Sequence, residues 1–126
     1  MKIIFTLFII LTILCLSGFN ISAQEKKVET SFCKLSLSED IKQANATFTN
    51  RYFFRVDDNG KPLKISRVSG YDFINDDEVR NCVDDWNFIS FTENTSFIIE
   101  ITWKHAVGWL PMKIISKGYS KTVKPR

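Results

Sequence analysis

Apolar and polar residues alternate along the stretch from Thr47 to Asp57, as they do in a half-buried β-strand. Tyr52 and Phe54 fall on one face of this extended segment, and Arg51 and Arg55 fall on the other. A face that carries two arginines is typical of a solvated surface, and it is also compatible with a surface that binds an anion or a partner. The alternation therefore predicts a strand with one buried face.

A tight turn and a second strand follow directly. Asp57-Asp58-Asn59-Gly60 is a strong hairpin signal, because Asn and Gly tolerate the positive φ that such turns require. The second strand is predicted from about Pro62 to Val68, with Leu63 and Ile65 on the same face. Arg67-Val68 breaks the alternation, which indicates a β-bulge.

A helix is predicted after this hairpin. Asn75 or Asp76 can cap it, and the acidic run Asp76-Asp77-Glu78 lies in its first turn, where the helix dipole favours negative charge. Acids at a helix start point outward instead of converging on one point, so no metal site is predicted here. Four residues recur at i, i+3, i+4 and i+7 and form one apolar stripe: Val79, Cys82, Val83 and Trp86.

Two more strands are predicted in the last third of the chain. The most regular pattern runs from Phe97 to Lys104. The last strand is predicted from Trp109 to Ile115, with Leu110 and Met112 on one face. Pro111 has no backbone N–H to donate to a ladder, so this strand is expected at an edge of the sheet.

The order strand-strand-helix-strand-strand predicts an α+β fold, with a single helix packed on one face of a three- to four-stranded antiparallel sheet. Residues 32–40 are compatible with a short strand or with a helical turn, and the sequence does not decide between them. The helix stripe is expected to cover four inward-facing residues of the strands: Phe54, Ile65, Ile99 and Ile101.

The N-terminus has the pattern of a secretory signal. Lys2 precedes a long apolar run that ends near Phe19, and Ala23 closes the segment before polar residues begin. We expect cleavage after Ala23, so that the protein is exported and is periplasmic or secreted. The alternative is an uncleaved membrane anchor, because residues 3–19 are nearly long enough to span a bilayer.

This interpretation divides the chain into four parts. Residues 1–23 are the signal peptide, residues 24–46 an N-terminal segment, residues 47–116 the α+β domain and residues 117–126 a basic tail. The tail carries much of the net charge of +3, and with its glycine and proline it is expected to be frayed. The overall charge is too small to predict nucleic-acid binding.

Two cysteines remain after removal of the predicted signal, Cys33 and Cys82. In an oxidising compartment such an even pair suggests one disulfide. It would close a loop of about 50 residues and stabilise the fold by roughly 3–4 kcal/mol, because it limits the freedom of the unfolded chain. Two buried free thiols are the alternative, since Cys82 already lies on the apolar helix stripe.

The chain contains no arrangement of residues that would carry out covalent chemistry. Its single histidine, His105, has no serine or cysteine placed to form a nucleophile–base pair with it. The sequence also lacks a glycine-rich phosphate loop, a CxxC pair and an HExxH motif. We therefore expect no enzymatic activity, no cofactor and no metal, and the pattern favours a binding module.

The middle of the chain resembles the C-terminal domain of TonB-type energy transducers. The matching pieces are an aromatic strand with its turn (Phe53 to Gly60), a second strand ending in Ser-Gly (Lys64 to Gly70), an acidic-capped helix (Asp77 to Val83) and the closing Trp86-Asn87-Phe88. The resemblance covers about residues 45–105. The chain has no proline-rich linker of the kind that those transducers use, so it is expected to be a stand-alone exported domain.

The resemblance implies capture of an extended peptide by addition to an edge strand, with a link to outer-membrane transport. An unpaired edge offers backbone donors and acceptors for such a partner. The expected partner is a protein or an extended peptide, with no nucleic acid, and with a membrane only through an uncleaved signal. The candidate partner-binding residues are Trp109, as an exposed aromatic anchor, and Leu110, Met112, Lys113 and Ile114. The alternative function is a small cystatin-like inhibitor or a structural exported domain, which has a similar shape.

Overall fold

The structure is a computed structural model, and it describes residues 26–43, 45–91, 94–105 and 107–125. The predicted signal peptide, residues 1–23, lies outside these ranges. Neither of the two helices in the described part of the chain has the length and the apolar character that a membrane span requires.

Five strands and two helices build this part of the chain, which is α+β as predicted. The strands are β1 (Phe48–Val56), β2 (Pro62–Ser69), β3 (Ser96–Trp103), β4 (Met112–Ser116) and β5 (Tyr119–Val123), and the helices are α1 (Glu39–Gln43) and α2 (Asp76–Asp84). The prediction of one helix and three to four strands is therefore wrong in number. Helix α1 begins at Glu39, at the end of the region that the sequence left undecided between a strand and a helical turn, and it extends three residues beyond that region.

All five strands form one antiparallel sheet in the order β2-β1-β3-β4-β5. The edges of this sheet are β2 and β5, whereas β4 pairs on both sides. Strand β3 pairs with β1 on the side opposite to β2. The long connection through α2 carries the chain from β2 past the first hairpin to that side.

Strand β5 occupies the segment that was predicted to be a frayed basic tail, so that prediction is wrong. Lys117-Gly118 turns the chain, with Gly118 at a φ of 75°, a value that favours glycine. Val123 is buried, while Tyr119 and Lys121 are half-buried on the same face. The segment therefore alternates like a strand, although its polar residues hide this pattern in the sequence.

The hairpin between β1 and β2 forms at the predicted turn. The carboxylate of Asp57 accepts hydrogen bonds from the backbone of Asn59 and of Lys61, each at 2.9 Å. Gly60 adopts a φ of 77°, and a Cβ there would lie 2.6 Å from the backbone nitrogen of Ile89. Glycine is required at this position both by its conformation and by the space available.

Strand β2 carries two irregularities in its pairing with β1. One leaves Val68 as the extra residue, which confirms the predicted bulge. The other lies at Lys64, whose φ is 51°. Because this second bulge shifts the alternation, Leu63 is 45% exposed while Ile65 is 7% exposed. The prediction that these two residues share a face is therefore wrong.

Helix α2 begins as the acidic pattern predicted. Asn75 is its N-cap and accepts a hydrogen bond from the backbone of Asp77 at 2.9 Å. Val79 and Val83 are buried and pack toward the sheet, where the helix contacts β2. The helix ends before Trp86, which is nevertheless fully buried. The apolar stripe thus continues into the segment that follows the helix.

The core lies between one face of the sheet and a layer made of α2 and the N-terminal segment. The four strand residues predicted to lie under the helix, Phe54, Ile65, Ile99 and Ile101, all belong to it. Glu29 and Asn87 form a two-way backbone bridge with both hydrogen bonds at 2.9 Å. Cys33 and Cys82 form a disulfide, with Cα atoms 5.6 Å apart. This bond joins the N-terminal segment to the helix.

Candidate partner-binding edge

The segment from Leu110 to Ile115 is not an edge, contrary to prediction. Strand β4 pairs with β3 through Ile98 to Ile101 and with β5 along its whole length. Pro111 precedes the strand, so its missing N–H does not mark an edge. The true edge beside it is β5.

The direction of the backbone groups in β4 follows from one hydrogen bond. Thr102 donates its N–H to the carbonyl of Pro111 at 3.0 Å, so the backbone of Pro111 faces β3. In an antiparallel ladder the bonding side alternates from residue to residue. Lys113, two residues on and opposite Glu100, therefore also directs its backbone groups to β3. A Lys113→Pro change would break this internal ladder instead of testing an edge.

The same alternation identifies the free backbone groups of β5. Ile114 faces β5 and is paired with Lys121, so Lys121 bonds inward to β4. Ser120 and Thr122 then direct their N–H and C=O groups away from the sheet. Both side chains are exposed, and no strand in the described part of the chain pairs with this side of β5. We call Ser120 and Thr122 with their outward backbone groups the β5 edge.

The inner face of β5 is held in place by the N-terminal segment and by Phe91, which follows α2. Lys121 donates from Nζ to the carbonyl of Val28 at 2.6 Å. The ring of Tyr119 packs against Phe91 with centroids 5.1 Å apart. Burial raises the pKa of the Tyr119 hydroxyl above its ordinary value. These contacts fix β5, and no described strand pairs with its outer side.

The other edge, β2, is poorly suited to pairing. Its two bulges interrupt the regular spacing of backbone groups. Arg80 on α2 also donates from Nε to the carbonyl of Ile65 at 3.0 Å, so one backbone acceptor of β2 is already occupied. The pairing of β5 with β4 is free of such shifts. Of the two edges of the described sheet, β5 therefore offers a partner strand the regular template.

The five candidate partner-binding residues do not form one surface. Met112 and Ile114 are buried in the core, and Lys113 is exposed on the opposite face of the sheet. Trp109 is half-buried rather than fully exposed, and it lines with Leu110 a groove of ≈ 410 Å³. The β5 edge was missed because the tail interpretation hid the turn at Lys117-Gly118, which is its only sequence signal.

A partly buried polar network joins β1, β2 and α2 elsewhere in the fold. The hydroxyl of Tyr52 donates to Asp76 at 2.6 Å, and Asp76 also lies 3.6 Å from Nε of Arg67. Arg67 pairs in addition with Asp72. Burial, together with the hydrogen bond to Asp76, raises the pKa of Tyr52 to about 12. Each of these side chains has at least one partner, although Nη1 of Arg67 is buried without one among the described residues. The contacts join the three elements.

An exposed aromatic cluster lies at the end of the sheet where β1 begins. Tyr71 stacks on Phe73 with centroids 5.3 Å apart, and Phe48 meets both rings edge-on. The buried side chain of Asn50 holds this loop, because it donates to the carbonyl of Tyr71 at 2.7 Å and accepts from its N–H at 2.9 Å. The cluster is a rigid surface feature that sequence periodicity did not indicate.

Within the described ranges, no catalytic or metal-binding group of side chains lies at these surfaces. His105 is exposed. No three His, Cys, Asp or Glu side chains among the described residues are grouped so that they could hold a metal ion. The edge of a sheet is thus the feature with the clearest means of recognising another molecule.

The fold and the edge together define an α+β protein with a five-stranded antiparallel sheet that is covered on one face and open at β5. Comparison of the chain with family models, with curated proteins and with solved structures found no match.

Proposed function

We propose that this chain is an exported binding module that captures an extended peptide or protein segment by strand addition at β5. The observation that supports the proposal is the pair of outward-facing backbone positions, Ser120 and Thr122, on a strand with regular pairing. Such positions offer a partner alternating donors and acceptors. The resemblance to the C-terminal domain of TonB-type transducers, which bind in this manner, favours the same mode and a role in outer-membrane transport.

The experiment starts from the exported protein purified from an envelope fraction. Partners are captured from an envelope extract, and the bound segment is identified and synthesised as a peptide. Its affinity is then measured for the wild type and for Thr122→Pro. Proline removes the outward N–H of Thr122 and leaves the inward bonds of Lys121 to β4 intact. We expect Thr122→Pro to fold normally by circular dichroism and to lose binding.

Two control variants make the result specific. Thr122→Ala removes the side chain but keeps the backbone N–H, so it should bind like the wild type. Lys121→Pro removes an inward N–H, so it should destabilise the β4–β5 pair itself. Unchanged affinity of a folded Thr122→Pro protein would refute strand addition at β5.

Amide hydrogen exchange provides a second readout that does not depend on affinity. In the free protein the amides of Ser120 and Thr122 should exchange rapidly, whereas that of Lys121 should be protected by its bond to β4. Binding of the partner should protect Ser120 and Thr122 as well. If their exchange rates stay the same in the complex, the partner binds elsewhere, and the cystatin-like or structural alternative gains support.

A further inference from the structure

The outer face of the sheet carries a row of charges that runs across the strands and ends at the β5 edge. Arg51 on β1 pairs with Glu100 on β3, with Nε and Oε1 3.0 Å apart. Glu100 lies opposite Lys113 on β4, and Lys113 lies opposite Thr122 on β5. The row thus reads positive, negative, positive and neutral. Opposite charges on neighbouring strands stabilise a sheet, and like charges destabilise it.

Lys113, the charged member of this row nearest the edge, has no negative neighbour on its β5 side, where it lies opposite the uncharged Thr122. Lys113 is exposed and forms no ion pair with any described residue. The only carboxylate in the row, Glu100, is already paired with Arg51. The chain has no Asp or Glu after Glu100, while several lysines follow. One of these is Lys124, which is exposed two residues beyond Thr122.

We infer that the segment that adds to β5 is acidic, and that it places a Glu or Asp side chain opposite Thr122 on the outer face of the sheet. This inference rests on the proposed function. The carboxylate would lie two strand spacings from Lys113, roughly 10 Å between backbones. The extended side chains of a lysine and a glutamate span this distance over the short side chain of Thr122. Lys124 approaches the same position along the strand.

The test uses three labelled peptides of alternating valine and threonine that differ only at one central outward position, which is Glu, Gln or Lys. Their affinities for the exported protein are measured by fluorescence anisotropy at low and at high salt. We expect the Glu peptide to bind about two- to fivefold more tightly than the Gln peptide, and the Lys peptide to bind most weakly. The advantage should shrink at high salt, because the charges are exposed.

Variants assign this advantage to particular lysines. Lys113→Gln combined with Lys124→Gln should abolish the preference for the Glu peptide. Lys61→Gln is the matched control, since Lys61 is an equally exposed lysine in the turn at the far side of the sheet. It should leave the preference unchanged. Equal affinity for the three peptides, or a Glu preference that survives the double variant, would overturn the inference.

The Thr122→Pro variant tests the proposed function separately from the acidic preference. If the three peptides bind equally and all lose binding in Thr122→Pro, strand addition stands and only the acidic preference is wrong. If Thr122→Pro binds the Glu peptide as tightly as the wild type, strand addition at β5 is refuted, and the inference falls with it. A failure of all three peptides to bind at millimolar concentration would also count against strand addition.

Discussion

Trp86→Ala should be among the most damaging single substitutions in this protein. The side chain is completely buried although it lies beyond the end of α2. Its ring packs near Phe88, with centroids 6.5 Å apart. Its indole N–H donates to the carbonyl of Ser31 at 3.0 Å, so the residue also holds the N-terminal segment against the core.

The expected loss in the free energy of unfolding follows from the burial of the ring and from the hydrogen bond of its N–H. Truncation of a buried tryptophan to alanine costs roughly 3–5 kcal/mol, because it removes apolar contacts and leaves a cavity. The unsatisfied carbonyl of Ser31 adds about 1 kcal/mol. A domain of this size has a free energy of unfolding of about 5–15 kcal/mol, so the loss is a large part of the total. The melting temperature should fall by more than about 15 °C.

Thermal and urea unfolding, followed by circular dichroism, measure this effect. Trp86→Phe keeps most of the apolar contact but loses the N–H, so it should cost much less than Trp86→Ala. Trp109→Ala is the matched control at a half-buried tryptophan, and it should have the smallest effect. If Trp86→Ala melts within a few degrees of the wild type, the packing of the N-terminal segment through Trp86 is not as described.

Two further predictions concern the disulfide and the buried tyrosine. Replacement of Cys33 and Cys82 by serine should lower the free energy of unfolding by about 4 kcal/mol in the chain-entropy treatment, since the bond spans 49 positions. Urea unfolding measures this loss. Alkylation of both thiols in the intact, unreduced protein would contradict the bond. For Tyr52, the pKa is about 12 in the folded protein against an ordinary 10.0, so the folded state keeps a proton that the unfolded chain releases. Stability present below pH 10 should therefore fall by up to roughly 3 kcal/mol as the pH rises to 12. Tyr52→Phe should remove this part of the alkaline loss, and an identical pH profile in the two proteins would show that the tyrosine is not responsible.

The sequence by itself determined the local elements of this protein. The alternation in β1 and β3, the turn at Asp57 to Gly60 and a helix cap at Asn75 or Asp76 are encoded in neighbouring residues, because dihedral preferences and side-chain spacing act over short distances. The bulge at Val68 was also visible as a break in alternation. The even number of cysteines and the predicted export favoured a bond between Cys33 and Cys82 over two free thiols, and the structure brings the two residues together.

Only the tertiary structure decided which strand lies at the edge. Edge position depends on the order of strands in the sheet, and that order results from contacts between residues far apart in the chain. Strand β5 is short and polar, so its sequence resembles a tail, and it forms because the turn at Gly118 brings it beside β4 and because Val28 and Phe91 cover its inner face. The outward direction of Ser120 and Thr122 then follows from a hydrogen bond two strands away, between Thr102 and Pro111.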